Sequence, residues 1–128
     1  MVRRSTRVVG AAAEVLAGRF LKREGLQWVT RNFRCRLGEI DLVMRDKDCL
    51  VFVEVRYRGG HRLARAGLTV DARKQQKLIR TAALFLAKHP ESSSLLVRFD
   101  VVAIDADQDG YETIEWIRDA FRPGDSAL

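Results

Sequence analysis

A chain of 128 residues with 47% hydrophobic and 31% charged side chains has the size and balance of one soluble domain around a single core. No apolar run approaches the ~20 residues that cross a bilayer, which excludes a membrane-spanning helix and sets the expectation of no membrane partner. The net charge of +6 and a pI near 9.9 point to a polyanion as partner, without choosing among DNA, RNA and anionic lipid.

The chain opens on Arg3, Arg4 and Arg7, and the apolar stretch behind them is broken by Glu14, Gly18 and Arg19, so it does not read as a secretory signal. From Val8 to about Glu24 the residues Val9, Ala12, Ala13, Leu16 and Phe20 recur at helical spacing, and Gly25 stops the helix. Leu26 to Phe33, with Trp28 and Val29, reads as a strand. Two clearer strands follow, Glu39 to Arg45 and Leu50 to Tyr57, joined by the polar Asp46-Lys47-Asp48 turn as a hairpin. Arg58 to Val70, with Gly59 and Gly60, is expected as a mobile surface loop. Asp71 or Thr69 then caps a second helix whose apolar stripe is Leu78, Ile79, Ala82, Phe85 and Leu86, and which ends before His89-Pro90. Leu95 to Asp105 is rich enough in Val, Leu, Ile and Phe for a buried strand, and Glu112 to Arg118 predicts a last one. Residues 122–128 are expected to fray.

The order is helix, three strands, helix, two strands: an α/β fold with a mixed central β-sheet flanked by helices, in one domain spanning 1–128. Cys35 and Cys49 make neither a disulfide framework nor a CxxC site, so both are expected as reduced thiols in a cytoplasmic protein. His61 and His89 add no ligand spacing.

The positive charge is concentrated. Between Arg56 and Arg80 stand Arg56, Arg58, Arg62, Arg65, Arg73, Lys74, Lys77 and Arg80, opposed by Asp71. Arg58, Arg62, Arg65, Arg73, Lys74 and Lys77 are candidate nucleic-acid contacts, the alternative being a solvated basic face. Gln75 either joins them or solubilises its helix.

The hairpin also carries acids. A symmetric turn of even length pairs residues whose numbers sum to 95, as Lys47 and Asp48 do, which sets Asp41 across from Glu54 and Glu39 across from Arg56 on one face. Opposed like charges destabilise a sheet pair, and a carboxylate in an apolar run is costly to desolvate. A divalent cation offsets both costs. Mg²⁺ prefers oxygen ligands and is held by one or two carboxylates, waters and substrate phosphates, the ligand set this geometry offers. The bland alternative is a set of ion pairs, Glu39–Arg56 and Glu54–Arg56, with Asp41 facing solvent; an odd-length turn would instead put the two acids on different faces.

Gly38-Glu39-Ile40-Asp41 followed by Val51-Phe52-Val53-Glu54-Val55-Arg56 resembles the signature of the PD-(D/E)XK nuclease superfamily, whose restriction-endonuclease-like core has the same element order. More narrowly, the chain looks like the YraN-type family of small bacterial proteins similar to archaeal Holliday-junction resolvases. Gly10-Ala11-Ala12-Ala13-Glu14, Arg31-Asn32-Phe33-Arg34, Lys77, Arg98-Phe99-Asp100-Val101-Val102 and Asp119-Ala120-Phe121 extend the match along nearly the whole chain. The resemblance implies that Asp41 and Glu54 bind Mg²⁺ or Mn²⁺, that Glu14 reaches the same site from the first helix, and that the catalytic set is Asp41, Glu54 and Arg56. At ~100° per residue, helical spacing alone puts Glu14 almost opposite Leu16 and facing solvent.

Arg56 stands where the superfamily has lysine. Arginine stays charged and cannot act as a base, although it can hold a phosphate; Lys74 or Lys77 could bring an amine from the second helix. Three functions follow: a metal-dependent endonuclease acting on DNA, including branched DNA; a nuclease-fold DNA-binding module with weak or no hydrolysis; or a structural or protein-interaction subunit using Trp28, Trp116, Phe121 and the edge strands. A homodimer is the expectation by analogy with domains that recognise symmetric junctions, and Glu39 is expected as a secondary partner of Arg56.

Overall fold

The computed structural model describes residues 6–59, 70–106 and 109–124, with the side chains of residues 6–9, Arg58 and Gly59 outside the described set. The elements are α1 (Thr6–Arg23), β1 (Gln27–Cys35), β2 (Gly38–Asp46), β3 (Cys49–Gly59), α2 (Ala72–Lys88), a 3-10 turn (Pro90–Ser92), β4 (Leu96–Ala106) and β5 (Glu112–Phe121). They form one sheet in the order β1-β2-β3-β4-β5, antiparallel except between β3 and β4. A parallel neighbour requires a long crossover, and α2 lies within it. The mixed sheet and element order are those the sequence predicts. The region expected as a mobile loop lies largely outside the described residues. No helix among those described is long and apolar enough to cross a membrane.

The two helices cover opposite faces of the sheet. Leu78, Ala82 and Phe85 of α2 pack with Val43, Leu50, Phe52, Phe99 and Val101, while Ala13, Ala17 and Leu21 of α1 pack with Leu42, Met44, Val51, Val53, Val102 and Ile104. Covered on both sides, β3 and β4 carry near-continuous apolar runs rather than an alternating pattern. Asp71 caps α2 by accepting the Lys74 backbone N–H at 2.8 Å, which fixes where the helix begins.

The hairpin register is the one the turn symmetry predicts. Asp46 faces Cys49, Met44 faces Val51 and Leu42 faces Val53. Lys47 adopts the left-handed conformation, φ 54, that a two-residue turn requires.

Two expectations need correction. The core-facing stripe of α1 is Ala13, Ala17, Gly18 and Leu21, whereas Ala12 is exposed and Leu16 and Phe20 are half-buried. The helix is thus rotated by about 90° from the orientation its larger apolar residues suggest. Small residues win because the helix lies close to the sheet: a Cβ on Gly18 would stand 2.0 Å from the Trp28 ring. Glu14, one turn before Gly18, is carried to the sheet by the same close approach.

The last strand also runs on beyond Arg118 to Phe121. Asp100, fully buried opposite a bulge in β5, accepts the Asp119 backbone N–H at 2.9 Å, the Trp116 indole N–H at 2.9 Å and two bonds from Arg98 at 2.9 and 3.0 Å. This cluster holds Asp119 in its left-handed conformation, φ 54, and keeps the strand on the sheet.

The Gly18–Trp28 contact leaves no room for a methyl group. Gly18→Ala is expected to lower stability by about 1–3 kcal/mol in urea unfolding, through overpacking against the indole. Unchanged stability would mean that α1 does not lie this close.

Candidate active site

β2 and β3 part immediately after Leu42 pairs with Val53. Through the next residues β2 stays on β1, with Phe33 opposite Ile40 and Arg34 opposite Glu39, while Asn32 takes a left-handed conformation at φ 56 between those pairs and Arg31–Leu42. The parting leaves the Val55 N–H without a backbone partner on β2. The Asp41 carboxylate takes that place, its Oδ2 accepting the Val55 N–H at 2.9 Å. Asp41 is therefore fixed beside Glu54 by this bond.

A cleft of about 560 Å³ opens there between the sheet and α2. Asp41, Glu54, Glu39 and Gly38 line its sheet side, and Asp71, Arg73, Lys74, Lys77 and Thr81 its helix side. Glu54 is buried and meets the Lys74 ammonium at 2.5 Å. Lys74 is itself half-exposed, so this cation sits at the mouth with its partner beneath it.

Glu14 arrives from the α1 side, where its carboxyl shares a hydrogen bond with that of Asp41. Two carboxyls can share a hydrogen bond when one of them holds a proton. Burial, then the charges of Glu54, Glu14 and Glu39, push the Asp41 carboxyl from an ordinary 3.8 up to about 7, against the lowering effect of the Val55 N–H. Burial likewise raises Glu14, with Glu39 adding to the rise while the Asp41 bond, Arg34 and Arg31 oppose it.

The donor set suits a hard divalent cation. Among the described residues no three His, Cys, Asp or Glu side chains already stand at ligand spacing. The pair Asp41 and Glu54, with Glu14 hydrogen-bonded behind Asp41, would leave the remaining positions to water and substrate oxygens, as Mg²⁺ commonly has them.

The other sequence candidates are distributed as follows. Arg73, Lys74 and Lys77 line the cleft. Gln75 turns inward, its amide donating to the Val70 carbonyl at 2.6 Å, and its Oε1 is buried without a hydrogen-bond partner among the described residues. Arg56 is half-buried on β3 and does not line the cleft. The Arg58 side chain and the whole of Arg62 and Arg65 lie outside the described residues. The expected Glu39–Arg56 contact is replaced by an ion pair between Glu39 and Arg34 at 3.1 Å. The reason is the parting of the strands, which ends the β2–β3 ladder before Glu39 and leaves it paired across β1–β2. The bland ion pair for Glu54 is likewise with Lys74 rather than Arg56.

A family model described as "Uncharacterised protein family UPF0102" matches residues 13–104. The chain is 50% identical over 112 residues to a UPF0102 protein of Stutzerimonas stutzeri, covering 88% of this chain and 92% of the relative. It is 48% identical over 116 residues to one of Xanthomonas campestris pv. campestris, covering 91% and 93%, and 45% identical over 112 residues to one of Pseudomonas putida, covering 88% and 91%. Among solved structures, it aligns at a TM-score of 0.41 and 15% identity with Pyrococcus furiosus SfsA in complex with Ca²⁺, over 89% of this chain and 64% of that one.

The raised Asp41 carboxyl has a consequence for metal-free stability. Because the folded state holds this proton more tightly than the unfolded chain, its contribution is fully present below pH 3.8 and is lost as pH rises through about 7. Asp41→Asn, which keeps an acceptor for Val55, is expected to exceed the wild type by roughly 1–3 kcal/mol at pH 8, an advantage that fades toward pH 4. Chemical unfolding in EDTA across that range checks it; a pH-independent difference would mean that Asp41 ionises as an ordinary carboxylate.

Proposed function

The chain belongs to the UPF0102 family, and we propose that it is a nucleic-acid-binding protein that hydrolyses phosphodiesters of DNA with Mg²⁺ or Mn²⁺ held by Asp41 and Glu54. The observation that carries this reading is the Asp41–Glu54 pair, fixed where β2 leaves β3 and opening into a cleft whose other wall bears Arg73, Lys74 and Lys77. Clustered acids are costly to bury, and a cation-lined cleft around them suits a phosphate that arrives with a metal.

A bound divalent ion lowers the pKa of a ligated water and stabilises charge on a phosphoryl oxygen. The chain's own groups orient and screen. The Val55 N–H holds the Asp41 carboxylate in one rotamer, and Glu14 supports it from behind. Lys74, from the first turn of α2, takes the place beside Glu54 that the superfamily pattern would give to the residue at 56. There its ammonium can hold Glu54 before substrate arrives and face the scissile phosphate afterwards. Arg73 and Lys77 neutralise neighbouring phosphates. Branched DNA is the substrate the family resemblance favours, acted on in the cytoplasm by a homodimer whose two-fold symmetry matches a junction; a one-copy mass in light scattering would remove the dimer.

The second reading, a DNA-binding module without turnover, is favoured by Arg56, which cannot serve as a base. Incubating four-way, flap, single-stranded and duplex DNA with Mg²⁺ or Mn²⁺ separates the two. The nuclease reading expects cleavage by the wild type, a loss of at least about 100-fold in Asp41→Ala or Glu54→Ala, and about 10-fold or more in Lys74→Ala. Cleavage confined to an Arg56→Lys variant would favour the binding module, and no cleavage by either protein would sink the nuclease reading.

A further inference from the structure

Cations also stand on the far side of the carboxylates from α2. Arg31 and Arg34 are exposed on β1, beside the stretch where β2 carries Asp41. Arg34 reaches Glu39 at 3.1 Å, and both side chains of that pair are more than half exposed. The Arg31 guanidinium carbon lies over the Trp28 ring, 5.7 Å from its centroid. Both arginines act electrostatically on Glu14, the residue hydrogen-bonded to Asp41. The acids therefore have Arg31 and Arg34 on the α1 side and Arg73, Lys74 and Lys77 on the α2 side.

Resting on the nucleic-acid reading above, we propose that Arg31 and Arg34 form a second phosphate-binding flank, so that a nucleic-acid strand crosses the carboxylates rather than ending at them. An exposed Arg–Glu pair adds little to stability, so Arg34 has scant structural reason to be there. Approach to four acids repels phosphate, and cations on one side alone would draw the strand away from the acids instead of across them. Guanidinium groups suit this task because their planar fork binds phosphate oxygens in pairs. Glu39 competes with phosphate for Arg34 and moderates the grip.

The test is fluorescence anisotropy of a labelled 20-bp DNA duplex across a salt series, with Ca²⁺ as the divalent ion. Arg31→Ala/Arg34→Ala is expected to weaken binding at least tenfold and to flatten the slope of log affinity on log salt by about 1.8, two contacts at about 0.9 each. Arg31→Lys/Arg34→Lys should keep most of the slope, which separates lost charge from damaged folding, and Glu39→Gln should bind more tightly than the wild type. Covalently closed single-stranded circles, which have no ends, should bind as well as linear strands of equal length. A wild-type slope in the double alanine variant, with Arg73→Ala/Lys77→Ala still impaired, would overturn the second flank alone; failure to bind circles would overturn the crossing strand. Absence of DNA binding by the wild type would instead remove the nucleic-acid reading beneath it.

Discussion

The site depends on one local event, the parting of β2 from β3 after Leu42 and Val53. A sheet that continued its ladder would fill the space with backbone hydrogen bonds and hold Asp41 and Glu54 as an opposed, repelling pair on a regular surface. Instead the Asp41 side chain accepts the Val55 N–H, which satisfies an interior amide and anchors the carboxylate at the same time. The gap also lets acids from both faces of the sheet meet, Glu14 from the α1 side and Glu54 on the α2 side.

The scaffold around that gap is stiff for reasons distributed along the chain. Gly18 lets α1 lie against Trp28, which brings Glu14 to Asp41. Asp71 fixes the start of α2 and thereby the position of Lys74 over Glu54. At the other end of the hairpin, Arg98 bonds to both Asp46 and Asp100, tying the β2 terminus to β4. A buried carboxylate with four donated hydrogen bonds, as Asp100 has, is a structural group; Asp41 has one backbone donor and three acidic neighbours, and burial and those charges raise its carboxyl.

Much of this was legible in the sequence because periodicity and turn symmetry report on backbone pairing. The even turn at Lys47-Asp48 sets the register as far as Leu42–Val53; beyond it the Val55 N–H bond to Asp41, not the continued pairing the turn symmetry predicts, holds Asp41 beside Glu54. What failed to read through were effects of close approach and irregularity. The orientation of α1 follows from Ala13, Ala17 and Gly18, whose small size matters more to its packing than the hydrophobicity of Leu16 and Phe20, which is why helical spacing alone points Glu14 to solvent. Glu39 meets Arg34 rather than Arg56 because strand pairing does not continue to the ends of the strands. Arg31 and Arg34 lie outside the basic stretch from Arg56 to Arg80, and it is the pairing of β1 with β2 that brings them beside the first acidic motif.

The central proposal is that Asp41 and Glu54 form a divalent-metal site in which the Asp41 carboxyl, raised to about 7, gives up its proton when the metal enters. Calorimetric titration of Mg²⁺ or Mn²⁺ near pH 6.5, repeated in buffers of different ionisation enthalpy, measures metal uptake and proton release together. The account predicts saturable uptake with release of a substantial fraction of a proton, and loss of both in Asp41→Asn and in Glu54→Gln. Negligible uptake by the wild type, or uptake that survives both substitutions, would contradict it.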